Sequence, residues 1–187
     1  MKNFSLKVLL IALVIGITGC ATPTTPTDTK KAVTKEKAKI SKKFQFYKAD
    51  LSVTQLIDPD ANYHTDKELE RLLNEKLHHL LKQNNLLSTQ TNTNFLMINA
   101  TYERRFVGDK TSIPSSSLSY PSFKYTIDIK SHSKTLVKIE KKKFSFKGNL
   151  ALNKQVIAKK LNKKTDEIQF INALADSIFK DIKNLQK

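Results

Sequence analysis

The spacing of apolar residues changes several times along the chain, and each change marks an element. Phe44 and Phe46 alternate with polar neighbours, as do Leu51 and Val53, which is the period of a half-buried strand. Parity slips from even to odd between the two pairs, so the strand carries an irregularity. Asp58-Pro59-Asp60 ends it. Thr65-Asp66-Lys67-Glu68 then has the capping-box pattern, in which a threonine hydroxyl and a glutamate carboxylate each take a free backbone N–H at a helix start. Leu69, Leu72, Leu73, Leu77, Leu80 and Leu81 follow at helical spacing as one apolar stripe, which leaves Glu70, Arg71, Asn74, Glu75 and His78 facing water. Gln83-Asn84-Asn85 stops this helix.

Phe95 to Phe106 reads as a second strand, apolar on both faces at Phe95-Leu96-Met97-Ile98 and therefore central, turning polar at Glu103-Arg104-Arg105. Phe123, Tyr125, Ile127 and Ile129 alternate with polar residues and make a half-buried third strand. Leu136 to Phe146 makes a fourth. Val137 and Ile139 are odd but Phe144 and Phe146 even, so Glu140-Lys141-Lys142-Lys143 must hold a bulge or break, and the lysines suit an edge that resists pairing with another chain. Beyond Gly148 the pattern is helical: a basic segment from Leu150 to Leu161, then Thr165 as N-cap with Asp166 and Glu167 at the positive helix end. Ile168, Ile171, Leu174, Ala175, Ile178, Ile182 and Leu185 mark its buried face. The order β-α-β-β-β-α-α predicts an α+β fold, a mostly antiparallel four-stranded sheet with helices packed on one face. Only the first helix is long enough to serve as a parallel crossover.

The first twenty residues follow a different logic. Lys2 and Lys7 precede a short apolar run from Val8 to Ile15, and small residues lead to Cys20, the layout of a secretory signal. The run is about half the roughly 20 residues a membrane-crossing helix requires. Ile17-Thr18-Gly19-Cys20 resembles the lipobox of bacterial lipoproteins. That resemblance implies cleavage after Gly19, a diacylglyceryl group on the Cys20 thiol, and an acylated amine on the same residue. Ala21 follows in place of the aspartate that marks inner-membrane retention in that class, which implies the outer membrane, facing the periplasm. Cys20 is the sole cysteine, so no disulfide can form within the chain.

Composition then divides the rest. Residues 20–43 are rich in Thr, Pro and Lys and have no aromatic side chain, which predicts a flexible tether after the lipidated cysteine, about 25 Å in root-mean-square extent and at most about 75 Å long. Residues 44–187 are expected to form a single α+β domain, enough for one core. The chain has 33 Lys and Arg against 17 Asp and Glu. Charge is uneven: residues 44–123 hold eight basic and nine acidic groups, whereas 124–187 hold sixteen and six. A basic cytoplasmic protein would suggest nucleic acid, but export argues for no nucleic-acid partner. The expected anionic partners are the lipid bilayer, an anionic envelope polymer or an acidic envelope protein.

Candidate chemistry is thin. The sequence has no Gly-x-Ser-x-Gly elbow, no phosphate loop and no clustered metal-ligand spacing, and after the leader only Gly108 and Gly148 remain. His78 and His79 are adjacent on a helix and point about 100° apart, so they do not chelate one ion together, and His64 and His132 are isolated. Ser115-Ser116-Ser117 has no evident paired base. The expectation is a protein that is not an enzyme, with no cofactor and no metal. Partner contact is better supported, at Arg104 and Arg105 with the Pro-containing loop that follows, and at the basic set Lys141, Lys142, Lys143, Lys159, Lys160, Lys163 and Lys164. The reading is therefore a non-enzymatic binding or assembly accessory in the envelope. Its first alternative is direct capture of an anionic glycolipid or cell-wall polymer by the basic C-terminal half, and its further alternative is an envelope hydrolase, which would require carboxylates or histidines converging in a cleft.

Overall fold

The computed structural model describes residues 40–90, 93–146 and 148–186. The leader, Cys20 and the tether up to residue 39 lie outside the described residues. Four strands, β1 (Phe44–Thr54), β2 (Asn94–Glu103), β3 (Ser122–Ser131) and β4 (Lys134–Ser145), form one sheet in the order β1-β2-β3-β4. α1 (Asp66–Gln83) connects β1 to β2 as the crossover, and that pair is parallel; β2–β3 and β3–β4 are antiparallel. α2 (Leu150–Ile157), a 3₁₀ turn (Lys164–Glu167) and α3 (Ile168–Asn184) complete the chain. The sheet is thus mixed, with the one parallel pair where a long connection allows it.

Both parity slips are bulges. Phe46 pairs with Leu96 and Ala49 with Ile98, so Tyr47 and Lys48 together oppose Met97. That extra residue moves the buried set from Phe44 to Ala49 and Leu51. In β4 the register shifts between Phe123–Phe144 and Tyr125–Lys141, which turns Phe144 back toward Phe123 and Tyr125, at ring-centroid distances of 5.5 and 6.0 Å.

α1 and α3 pack side by side on one sheet face. Leu69, Leu73, Leu77 and Leu81 of α1 meet Ile171, Leu174, Ala175, Ile178 and Ile182 of α3 over Leu96, Ile98, Ala100, Tyr125, Ile127 and Ile129, all buried. At the start of α1, Glu68 N–H donates to Thr65 Oγ1 at 3.3 Å and Thr65 N–H donates to Glu68 Oε2 at 2.8 Å, the reciprocal cap its sequence spells. The helix ends in a Schellman motif: Leu86 N–H bonds to Leu81 O at 2.9 Å around Asn85 at φ 57°. Tyr125 OH ties β3 to α3, donating to Asp181 Oδ2 at 2.8 Å.

Several expectations need correction. Glu70 and Asn74 do not simply face water. Ala49 N–H donates to Asn74 Oδ1 at 2.6 Å, Asn74 Nδ2 donates to Ala49 O at 2.8 Å, and Leu51 N–H donates to Glu70 Oε2 at 3.1 Å. α1 therefore supplies the partners that the bulged outer edge of β1 lacks. β2 is central but buries only one face; Met97 is 42% exposed on the other. The basic helix stops at Ile157 rather than Leu161, closed by a second Schellman motif, with Lys159 at φ 53° and Lys160 N–H bonded to Gln155 O at 2.9 Å. Thr165 is not an N-cap, because the 3₁₀ turn precedes α3 and Asp166 Oδ2 accepts from Lys163 N–H at 2.8 Å. Phe170, absent from the expected stripe, is fully buried against Phe146 at 5.3 Å. Finally, Ile40 packs against the core and Ser41 N–H donates to Asn94 Oδ1 at 2.7 Å, so packing begins ahead of Phe44.

Candidate functional site: the open face of the sheet

Because both long helices lie on one side, the other face of the sheet has no covering layer among the described residues. Pleating fixes what it presents: Asp50 and Ser52 from β1, Asn99 and Thr101 from β2, Lys124 and Thr126 from β3, Glu140 and Lys142 from β4. These side chains line a shallow concavity of about 590 Å³. At Asp50 it adjoins a second hollow of about 310 Å³, lined by Tyr47, Phe95, Met97, Lys130 and His132. The bulge in β1 is what aims Tyr47 here. Its ring, 79% exposed, stacks on Phe95 at 6.3 Å and 12°. Two aromatics and a methionine thus sit at one end of a polar floor.

The charges on this face are of both signs. Lys143 pairs with Glu103, which also lies 3.6 Å from Arg105; Asp128 stands opposite Lys138 across the β3–β4 ladder; Lys48 and Asp50 approach to 2.5 Å. Lys141, released by the β4 bulge, turns toward the helix layer, 3.8 Å from Asp181 and over the Phe144 ring. The floor is therefore electrostatically patterned rather than uniformly basic.

Arg104 and Arg105, expected to meet a partner, are both held internally. Arg104 is buried beside a fully buried Glu167, with Nε to Oε1 at 2.5 Å. Its remaining donors reach Gln55 Oε1 at 2.9 Å and His64 O at 2.7 Å, and its guanidinium lies over the Tyr63 ring at 5.7 Å. Glu167 also accepts from His64 N–H at 3.1 Å. Tyr102 OH lies buried without a hydrogen-bond partner beside this pair, and burial pushes its phenol well above the ordinary range, with the Glu167 charge adding to the shift. Tyr63 is pushed up to about 12 for the same first reason, its hydroxyl sharing its one proton between Ser116 O at 2.5 Å and Leu161 O at 2.9 Å. Arg105 makes a bidentate pair with Asp109, Nε to Oδ2 at 2.5 Å and Nη2 to Oδ1 at 2.7 Å, which holds the Asp109 carboxyl below its ordinary range. The loop after it closes on itself through a Phe106–Leu118 bridge, with both side chains buried. This cluster joins β2, the β1–α1 connection and the 3₁₀ turn; it is a clamp of the fold.

The basic set is split between two places. Lys141, Lys142 and Lys143 belong to the β4 rim, whereas Lys159, Lys160, Lys163 and Lys164 lie on the segment between α2 and α3. Of the latter, Lys164 pairs with Glu68 at 2.6 Å. Reading the sequence alone missed Ser52, Asn99, Thr101 and Thr126; their signal was the polar half of each strand's alternation, which gains meaning only once the helices prove one-sided.

No family model and no curated protein matches this chain. Solved structures with some likeness include a minor lipoprotein from Acinetobacter baumannii, 16% identical, where the match covers 75% of this chain and 95% of that one with a TM-score of 0.34. Rare lipoprotein B from Shewanella oneidensis is 20% identical over 73% of this chain and 98% of that one, with a TM-score of 0.25. Likenesses this low carry no inference about what this chain does.

Proposed function

We propose that the chain is a lipid-anchored envelope protein, held at the periplasmic side of the outer membrane through Cys20, whose α+β body acts as a non-enzymatic binding or assembly accessory for another envelope protein. The observation that carries the reading is the open sheet face, with a stacked Tyr47–Phe95 pair and Met97 beside a floor of mixed charge. Aromatics, methionine and satisfied polar groups in one patch are the makings of a protein interface, and charges of both signs fix register rather than attract any polyanion. The lipobox supplies the address. Direct capture of an anionic glycolipid or wall polymer remains the second reading, favoured by the lysines of the β4 rim.

A photo-crosslinking residue at Met97 or Asn99 in the membrane-bound protein tests the first reading. It is expected to give one discrete protein adduct, absent when the crosslinker replaces the exposed His78 on α1 and lost in Cys20→Ser. Equal labelling from Met97 and His78 would sink the proposal, and adducts to glycolipid or polymer alone would shift it to the second reading.

A further inference from the structure

A different part of the molecule concentrates exposed aliphatic side chains and positive charge together. Residues 150–164 contain Lys154, Lys159, Lys160, Lys163 and Lys164 and no acidic residue. Among the described residues only Lys164 of these forms an ion pair. α2 buries Leu152 on its inner side, yet Leu150 and Ile157 are 71% and 80% exposed. They are separated by seven residues, two turns of helix, so they point within about 20° of each other, and Lys154 falls in the same stripe about 40° from Leu150. The loop carrying Ile113, 84% exposed, is tied to this segment. Leu118 N–H bonds to Leu161 O at 2.9 Å, Leu161 N–H donates to Ser117 Oγ at 3.1 Å, and Tyr120 OH bonds to Asn153 Oδ1. The attachment is close: a Cβ on Gly148 would lie 2.7 Å from the Tyr120 ring.

We propose that the outer face of α2, with Leu150 and Ile157 as inserted side chains, Lys154 in the same stripe and Lys159, Lys160 and Lys163 on the segment that follows the helix, docks on an anionic lipid bilayer. A narrow aliphatic stripe flanked by unpaired lysines is the anatomy of a helix lying in a membrane interface. It is too narrow for the aromatic-centred core of a protein interface, and the mixed-charge sheet face is the contrasting surface. Each lysine gains from a negatively charged surface within a Debye length, whereas neutral headgroups offer only the aliphatic term. This contact belongs to the folded body and does not depend on the anchor.

The single cysteine makes the test clean. In the full chain carrying Cys20→Ser, an environment-sensitive fluorophore is attached at Ile157→Cys, or at His78→Cys for comparison. Each protein is mixed with vesicles of phosphatidylglycerol or of phosphatidylcholine. The probe at position 157 is expected to shift to the blue and be quenched by lipid-borne nitroxides on phosphatidylglycerol only, while the probe at 78 stays in water. Adding Lys154→Glu, Lys159→Glu and Lys160→Glu should weaken partitioning about fivefold or more per residue. The proposal is overturned if the 157 probe remains in water on phosphatidylglycerol, if both probes shift alike because another segment adsorbs, or if charge reversal changes nothing. A protein partner for α2 would give the first of these results.

Discussion

At the scale of single residues, Glu167 matters most. It is fully buried, 63 positions from Arg104, and its carboxylate is satisfied by that guanidinium at 2.5 Å and by the His64 N–H at 3.1 Å. Removing one partner of such a pair strands the other charge in a poorly solvating interior. Glu167→Gln is accordingly expected to lower unfolding free energy by about 3–5 kcal/mol, read from urea denaturation. A loss below about 1 kcal/mol would show that water reaches the site. This pairing was not legible in the sequence. Glu167 looked like an N-terminal helix acid and Arg104 like a strand-end cation, and nothing local distinguishes a charge that will be buried from one that will be solvated. By contrast the Thr65–Glu68 cap was legible, because both partners lie within one turn.

At the scale of elements, local pattern served well wherever the physics is local. The slips at Phe46/Leu51 and Ile139/Phe144 announced bulges because a strand's period is two and one inserted residue inverts it. What escaped was how each bulge is completed. Asn74 sits on α1 between Leu73 and Leu77 at a position that helical periodicity assigns to solvent, yet it holds both backbone groups of Ala49. Asn74→Leu is expected to cost about 1–3 kcal/mol by leaving those groups unpaired. Hydrogen exchange checks this directly: the Ala49 amide should lose protection far more than amides of the central strand β2, whereas a uniform change would mean the bulge does not rely on Asn74. The stripe expected for α3 holds at Ile171, Leu174, Ala175, Ile178 and Ile182, all buried, and is wider than expected at its start, where Phe170 also packs inward four residues before Leu174.

At the scale of the whole molecule, distant segments are joined by a few charged contacts whose pH response can be stated. Lys164 Nζ lies 2.6 Å from Glu68 Oε1, linking the start of α1 to the 3₁₀ turn, and with the Thr65 N–H it depresses the Glu68 carboxyl to about 2. A carboxyl that ionises more readily when folded contributes stability above its unfolded value, about 4.5, and loses it as pH falls toward 2. The melting-temperature difference between the native protein and Glu68→Gln should therefore be constant near neutrality and shrink below pH 4.5, more weakly in high salt because the site is open to solvent. A difference that does not change with pH would mean the contact is dispensable. The sheet's two borders differ just as plainly. β1 is occupied along its outer side by Asn74, Glu70 and the Leu86–Ser88 segment, where Phe44 N–H bonds to Leu86 O and Ser88 N–H to Phe44 O, each at 2.8 Å. β4 carries no such cover among the described residues. With that border occupied at Phe44, Ala49 and Leu51, strand-to-strand growth has little to propagate on: two copies joined through β4 would use up the more open border in a closed two-fold pair, which works against a fibre built by this route.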